Sequence, residues 1–209
     1  VDTYEDIECF VESVLNAWQM GLNPIQDLTH ELESRGLLVI MVDEPNEKFC
    51  GLSAKAVAAS GAVYPVVAVS STWPGDRQRF TLAHELGHLA LHDRLPEGLD
   101  EERACNRFAG AFLVPRFAVL RALGVQRRRL EVQELKVLKH EFGLSMAGWL
   151  MRAKQCGVIS DDVHSQAWRL FSSQGWRTKE PGEPLARELP KLFEQLVYRA
   201  LAGQFVSEA

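Results

Sequence analysis

The sequence predicts an α+β fold, in which a small three-stranded sheet lies between helices and a helical region follows. Three observations support this prediction. Apolar residues recur at helical spacing near the N-terminus, short β-rich apolar runs fall between residues 37 and 70, and helical periodicity returns after residue 76. With 209 residues, of which 46% are hydrophobic and 24% charged, the chain is long enough to bury a core.

The N-terminal elements are predicted from apolar spacing and from breakers. Residues 3–20 are expected to form a helix that ends at Gly21, and residues 25–35 a second helix that ends at Gly36. The next predicted elements are strands at 37–42, 49–56 and 63–70, with a turn at 44–48 before the second strand. Because proline donates no hydrogen bond to a strand ladder, Pro65 predicts that the third strand lies at a sheet edge.

Helices are predicted for most of the remaining chain. The predicted helices begin near residues 76–79 and at residue 100, and further ones cover 130–141, 145–155, 164–173 and 185–206. Ser145 is the expected N-cap of its helix. We expect three regions: a core at 1–118, a helix-turn-helix-like unit at 119–160 and a C-terminal helical tail at 161–209.

The helix-turn-helix-like unit differs from the rest of the chain in charge. Residues 121–154 contain eight Arg or Lys and three Glu, although the whole chain has a net charge of −5. A basic helix pair suggests DNA binding, but its second helix is largely apolar, and Arg152 and Lys154 lie at the end that usually does not read bases. We therefore favour a structural or partner-binding unit and keep DNA contact as the alternative.

Cysteine usage and hydropathy bear on the cellular compartment of the chain. The four cysteines are scattered without a C-x-x-C pair, which argues against a cysteine-based zinc site and against a disulfide framework. Reduced thiols favour the cytoplasm. No run approaches 18 apolar residues and no signal segment is seen, so we expect no membrane association. The chain begins at Val1 rather than Met, which fits an excerpt of a longer protein or a processed one.

The motif that carries chemistry is His84-Glu85-Leu86-Gly87-His88, an HExxH pattern. Residues four apart share one face of a helix, so both imidazoles can reach one metal ion, with Glu85 beside them to accept a proton from water. The surrounding residues are apolar nearly all round the helix, which predicts burial. Buried His and Glu side chains must be satisfied, and a metal ion satisfies them.

A catalytic zinc site needs a third protein ligand. The next acidic helix offers Glu102, with Asn106 one turn later as a residue that would orient a ligand by a hydrogen bond. The positions of Glu102 and Glu101 around the helix barely favour Glu102 over Glu101 as the third ligand. His92 is another rival, since it continues the face of His84 and His88, although three ligands on one straight helix fit a tetrahedron poorly.

The two motif blocks, RFTLAHELGHLALH and ERACNRFAGAFLVP, resemble the ImmA/IrrE family of bacterial zinc metallopeptidases. The resemblance implies a zincin-like core, in which His84, His88 and Glu102 bind Zn²⁺ and Glu85 is the general base. Cys105 and Val114 depart from the family pattern, where Ala and Met are usual. By analogy with zincins, the strand at 63–70 would hold substrate backbone as an added strand, and the alternative is a plain packing strand.

The resemblance also implies a function. A zinc-dependent endopeptidase would cut a helix-turn-helix-type repressor or other regulatory protein, and so control transcription in stress response or in mobile-element and phage regulation. The alternative is a transcriptional regulator or toxin–antitoxin component that keeps the zinc fold for protein or DNA binding. The intact Glu85 argues against it, since zinc binding alone does not require this residue. Candidates for the oxyanion donor are Tyr64, His30 and His140.

Overall fold

The structure, a computed structural model, describes residues 1–43 and 49–204, and within these ranges the fold is α+β, as predicted. The turn predicted at 44–48 and the end of the helix predicted to residue 206 lie outside the described residues. The elements in chain order are α1 (Asp6–Ala17), α2 (Leu28–Ser34), β1 (Leu38–Val42), β2 (Gly51–Val57), β3 (Val63–Ser70), α3 (Gly75–Leu91), α4 (Glu101–Leu113), α5 (Arg116–Leu123), α6 (Val132–Phe142), α7 (Met146–Gln155), α8 (Asp161–Ser173) and α9 (Leu192–Ala202).

The sheet has the strand order β1-β3-β2, so the third strand lies in its centre. β3 pairs in parallel with β1 and antiparallel with β2. The prediction that residues 63–70 form an edge strand is therefore wrong, and with it the idea that this strand holds substrate. The parallel ladder with β1 begins only at Val66, so Pro65 is paired with Lys55 of β2 but has no neighbour in β1. The missing N–H of proline is tolerated at such a position.

Helices α3 and α4 pack closely on each other and form the centre of the molecule. A Cβ added at Gly87 of α3 would lie 3.3 Å from the Cα of Cys105 in α4, so only a small residue allows this approach. Behind the contact, the rings of Phe108 and Phe112 stack with centroids 5.7 Å apart, and both side chains are fully buried. This packing fixes the two helices that carry the motif residues.

The helix-turn-helix-like unit consists of α6 and α7, joined through Gly143 in the left-handed conformation (φ 70°). Ser145 caps α7 as predicted, since its side chain accepts a hydrogen bond from the Gly148 N–H. The carboxylate of Glu180 accepts hydrogen bonds from the N–H groups of Met146 and Ala147, which precede Gly148 in the same turn. The N-terminal end of α7 is thus occupied by the chain's own side chain.

The C-terminal tail differs from the prediction. Residues 185–190 are not helical, and the helix α9 begins only at Leu192. The carboxylate of Glu188 pairs with the Arg79 guanidinium and accepts the Thr29 N–H, which holds this segment against α2 and α3. The segment is extended because these long-range contacts override the helical periodicity of the sequence.

Buried apolar residues form one cluster that reaches from Ile7 in α1 to Phe171 in α8. The division into regions at residues 118 and 160 stays a prediction. None of the four cysteines, all of which the structure describes, forms a disulfide. Among the helices of the described ranges, none is long and apolar enough to cross a membrane.

Candidate metal centre and active-site cleft

Helix α3 carries the HExxH residues and places both histidines on the same face. The His84 and His88 rings are 4.9 Å apart between centroids, and their Nε2 atoms are 3.1 Å apart. Much of the helix is buried, with Leu82, Ala83 and Leu86 among its buried apolar side chains and polar side chains such as Arg79 buried in its first turns. One helical turn therefore separates two nitrogen donors that point to the same place.

Helix α4 contributes a carboxylate to this place. One oxygen of Glu102 lies 3.3 Å from Nε2 of His84, and its other oxygen lies 3.3 Å from Nε2 of His88. Asp100, the N-cap of α4, accepts the Arg103 N–H and so fixes the first turn on which Glu102 lies. Ligand atoms of His84, His88 and Glu102 all lie within 4.8 Å of one another.

The outer nitrogens of both histidines have acceptors. Nδ1 of His84 lies 3.2 Å from Oδ1 of Asn106, and Nδ1 of His88 lies 2.9 Å from Oε1 of Glu101. An acceptor at Nδ1 favours the tautomer with its proton on Nδ1, which leaves a lone pair on Nε2. The geometry thus separates the two glutamates, because Glu102 faces the Nε2 atoms whereas Glu101 lies behind His88.

This donor set fits a zinc ion. Two imidazole nitrogens and a carboxylate oxygen are ligands that zinc takes in catalytic sites. Zinc bonds of about 2.05 Å in a tetrahedron place neighbouring ligand atoms roughly 3.3 Å apart. The two Nε2 atoms, 3.1 Å apart, are close to that spacing. The Glu102 side chain is 71% exposed, so the group is open to solvent.

The other candidates from the sequence lie differently. His92 is the C-cap of α3 and its Nε2 lies 3.4 Å from Asp93, outside the group of three ligands. Cys105 forms a second possible group with His88 and Glu101. Burial, followed by the negative charges of Glu101, Glu102 and Glu85, raises the pKa of the Cys105 thiol to about 12. The Cys105 side chain is fully buried, whereas that of Glu102 is open to solvent.

The cleft beside the candidate metal centre has a volume of about 570 Å³. Its lining residues are Gly51, Leu52, Ser53, Ala54, Lys55, Glu85, His88, Leu89, His92, Glu101 and Glu102. One wall is therefore β2, the edge strand that the sequence analysis did not assign to the site. Glu85 is 7% exposed and lies at the base of this wall.

Gly51 is the residue that lets β2 approach α3. A Cβ at this position would lie 2.6 Å from Cγ2 of Thr81 and 3.4 Å from Cγ of Glu85. The first distance is shorter than side chains tolerate, so a larger residue would push the strand away from the helix. The glycine within a β-rich run was the only signal in the sequence for this close approach.

The three side chains suggested as oxyanion donors do not line the cleft. Tyr64 lies near the start of β3 opposite Ala56, and His30 and His140 are exposed on α2 and α6. Within the described part of the chain, the cationic or imidazole side chains in the cleft besides His88 are those of Lys55 and His92.

Part of the chain matches the model of a known protein family. The family model of Peptidase M78, described as the IrrE N-terminal-like domain, matches residues 36–154, which are more than half of the chain. No curated protein matches the sequence. A solved structure of a Mycobacterium tuberculosis transcriptional regulator matches with a TM-score of 0.48 and 18% sequence identity over 71% of this chain. The match spans 46% of that regulator's chain.

The family match begins just before β1 and ends near the end of α7, so it includes the sheet, both helices of the candidate metal centre and the helix-turn-helix-like unit. The resemblance inferred from the two motif blocks is confirmed by this match. The chain belongs to the Peptidase M78 family, through its IrrE N-terminal-like domain.

Proposed function

We propose that this chain is a zinc-dependent endopeptidase that cleaves a regulatory protein. The observation that supports it most is the convergence of His84, His88 and Glu102 on one point, with the buried Glu85 in the adjoining cleft. Membership of a peptidase family points to the same chemistry. His84, His88 and Glu102 would hold the zinc ion, with Asn106 and Glu101 fixing the two imidazoles.

Bound zinc supplies a Lewis acid that polarises the scissile carbonyl and lowers the pKa of water toward about 7. The work of the chain is then proton transfer and positioning. Glu85 accepts the proton that the attacking water loses and delivers it to the departing amine, so the carboxylate is regenerated in each cycle. Glu85 is largely buried yet lines the cleft, so its carboxylate would be open to a water molecule there.

The substrate backbone would bind along β2. This strand pairs with β3 on one side only, and it lines the cleft from Gly51 to Lys55. An extended peptide can add to such an edge through main-chain hydrogen bonds, which select an unfolded or exposed segment rather than a particular sequence. Lys55 and His92, which line the cleft, would be the candidates to stabilise the oxyanion of the transition state.

The protein substrate would be a DNA-binding repressor of the helix-turn-helix type. This step rests on the resemblance to the ImmA/IrrE family, and the control of stress-response or mobile-element genes would follow from cleavage of that repressor.

The alternative, a regulator that binds DNA through its helix-turn-helix-like unit, is disfavoured by the surroundings of α7. Its N-terminal N–H groups are taken by Glu180, and most of its larger side chains, including Trp149, Leu150 and Arg152, are buried. A recognition helix needs its N-terminal part free for base edges. In this conformation, Glu180 also places a negative charge where DNA phosphates would approach.

A single variant tests the proposal. Glu85→Gln removes the proton acceptor and keeps the size of the side chain, so zinc should remain at one ion per chain while cleavage of a proteome-derived peptide library falls by at least about a thousandfold. Glu97→Gln, an exposed change on the loop before α4, is the matched control and should cleave as wild type does. Equal cleavage by the Glu85 variant would overturn the proposed role of this residue.

A further inference from the structure

A second group of metal-ligating side chains lies behind His88, next to the candidate metal centre. His88, Glu101 and Cys105 each offer one ligand atom, and these atoms all lie within 4.8 Å of one another. Nδ1 is the nitrogen of His88 that faces this group, since it lies 2.9 Å from Oε1 of Glu101. His88 therefore has one nitrogen toward each of two groups of ligands.

The spacing of residues on α4 separates the two groups. Glu101 and Cys105 are four residues apart and so share one face of the helix, in the same way that His84 and His88 do on α3. Glu102 is turned by one residue and lies close to the Nε2 atoms instead. Helix α4 therefore presents one carboxylate to the first centre, and a carboxylate with a thiol to the other side of His88.

The donor atoms decide which cation fits this second group. An imidazole nitrogen, a carboxylate oxygen and a cysteine sulfur are all ligands that zinc takes, and sulfur favours thiophilic cations over Mg²⁺ and Ca²⁺, which take oxygen ligands. The carboxylates of Glu101, Glu102 and Glu85 act electrostatically on the Cys105 sulfur. This negative field favours a cation at the sulfur.

An ion can reach the group from the cleft beside β2. The Cys105 side chain is fully buried, but the Glu101 side chain is 58% exposed and lines the cleft together with His88. A cation that enters from the cleft would meet the Glu101 carboxylate first and the sulfur behind it. The open side of Glu101 also leaves space for a water molecule as a further ligand.

We propose that His88, Glu101 and Cys105 bind a second divalent cation of the thiophilic class, such as Cd²⁺ or an additional Zn²⁺, beside the zinc ion of the first centre. Nδ1 of His88 and the thiol of Cys105 each release a proton to solvent when this cation binds. The inference goes beyond the proposed function, since it requires neither a peptide nor turnover. Because the two ions share His88, a thiophilic cation at this position acts directly on the zinc centre.

The test uses Cd²⁺, because its bond to a thiolate gives an ultraviolet charge-transfer band that nitrogen and oxygen ligands do not give. Cys9→Ala and Cys50→Ala are combined as the background, so that the cysteines left are the buried Cys105 and Cys156. This protein is loaded with one zinc per chain and titrated with Cd²⁺. We expect one Cd²⁺ to bind per chain with the charge-transfer band, while elemental analysis finds the zinc still bound.

Variants in the same background then assign the band to the second group. Cys105→Ala should abolish the band and weaken Cd²⁺ binding at least about tenfold, because the sulfur ligand is lost. Cys156→Ala, the matched change of the other buried cysteine, should keep the band and the affinity. Should Cys105→Ala fail to fold, Glu101→Ala changes an exposed position and should still weaken Cd²⁺ binding about tenfold.

The outcomes separate this inference from the proposed function. A band that persists in Cys105→Ala, or Cd²⁺ affinity unchanged in Glu101→Ala, would overturn the second group. Release of one zinc for each Cd²⁺ bound would also overturn it, because the two ions would then exchange at a single site. If zinc does not bind the first centre at all, the proposed function fails, and the dependence of the band on Cys105 still decides this inference.

Discussion

Replacing Glu8 by Gln should lower the free energy of unfolding by about 3–5 kcal/mol. The Glu8 carboxylate accepts bonds from Arg152 at 2.6 and 2.9 Å and from Nε of Arg107 at 2.9 Å. All three residues are buried, and they join α1, α4 and α7. The amide of glutamine has no charge and turns a donor toward one guanidinium, so two buried cations lose their counterion.

The expected loss is large enough for a simple assay. For a chain of this length, 1 kcal/mol corresponds to about 2–4 °C in melting temperature, so Glu8→Gln should melt roughly 6–20 °C below wild type at pH 7. Glu12→Gln, one turn further along α1 and partly exposed, is the matched control and should stay within about 0.5 kcal/mol. A Glu8 variant as stable as this control would refute the importance of the buried ion network.

The same group predicts a pH dependence. Burial raises the pKa of Glu8. The hydrogen bonds and charges of Arg152 and Arg107 together lower this pKa by more than burial raises it, so the net pKa lies below the ordinary value of 4.5. A lowered folded-state pKa means that the unfolded chain binds the proton more tightly. The stabilisation is therefore present above pH 4.5 and is lost as the pH falls through the lowered pKa. The gap between wild type and Glu8→Gln in urea unfolding should shrink over that range, and a gap that is constant down to pH 2 would contradict the assignment.

Three further predictions concern the site and its support. Asn106→Ala and Glu101→Ala should each weaken zinc affinity about 10- to 100-fold in a chelator competition, since each loses the acceptor that orients a histidine; unchanged affinity would show that these contacts do not act on the ligands. Gly51→Ala should displace β2 from α3 and cost about 1–3 kcal/mol in urea unfolding, with slower turnover at full zinc occupancy; wild-type turnover would contradict the close approach. Glu180→Gln should cost about 1–3 kcal/mol, because buried Lys139 and the first N–H groups of α7 lose a charged partner; a negligible change in the urea midpoint would argue against this contact.

The two motif helices were the most predictable part of the fold. The start of a helix near residue 100 and the four-residue spacing of His84 and His88 are local signals that the structure reproduces, with Asp100 as an N-cap that was not predicted. The sequence also put Asn106 one turn after Glu102, where it meets His84. What helical phase could not decide was the choice between Glu101 and Glu102, because their difference lies in which histidine nitrogen each one faces.

The sheet was predictable in its strands but not in their order. Pro65 suggested an edge position because proline lacks an N–H. In the structure the ladder between β1 and β3 begins at Val66, so no residue of β1 needs a hydrogen bond from Pro65. Strand order depends on long-range packing that no local pattern encodes, so the wall of the cleft was assigned to β3 instead of β2.

The start of the C-terminal helix was mispredicted for a similar reason. Glu188 is held by Arg79 and Thr29, more than a hundred residues earlier, and these contacts replace the first turns of the predicted helix.

The central claim is that one zinc ion is held by His84, His88 and Glu102, and metal content tests it most directly. The measurement is elemental analysis of purified protein after zinc is supplied and excess zinc removed, for wild type, Glu102→Ala and the exposed-site control Glu97→Ala. We predict one zinc per chain in wild type and in the control, and a loss of most of it in Glu102→Ala. Wild type without zinc, or Glu102→Ala with its full complement, would contradict the account.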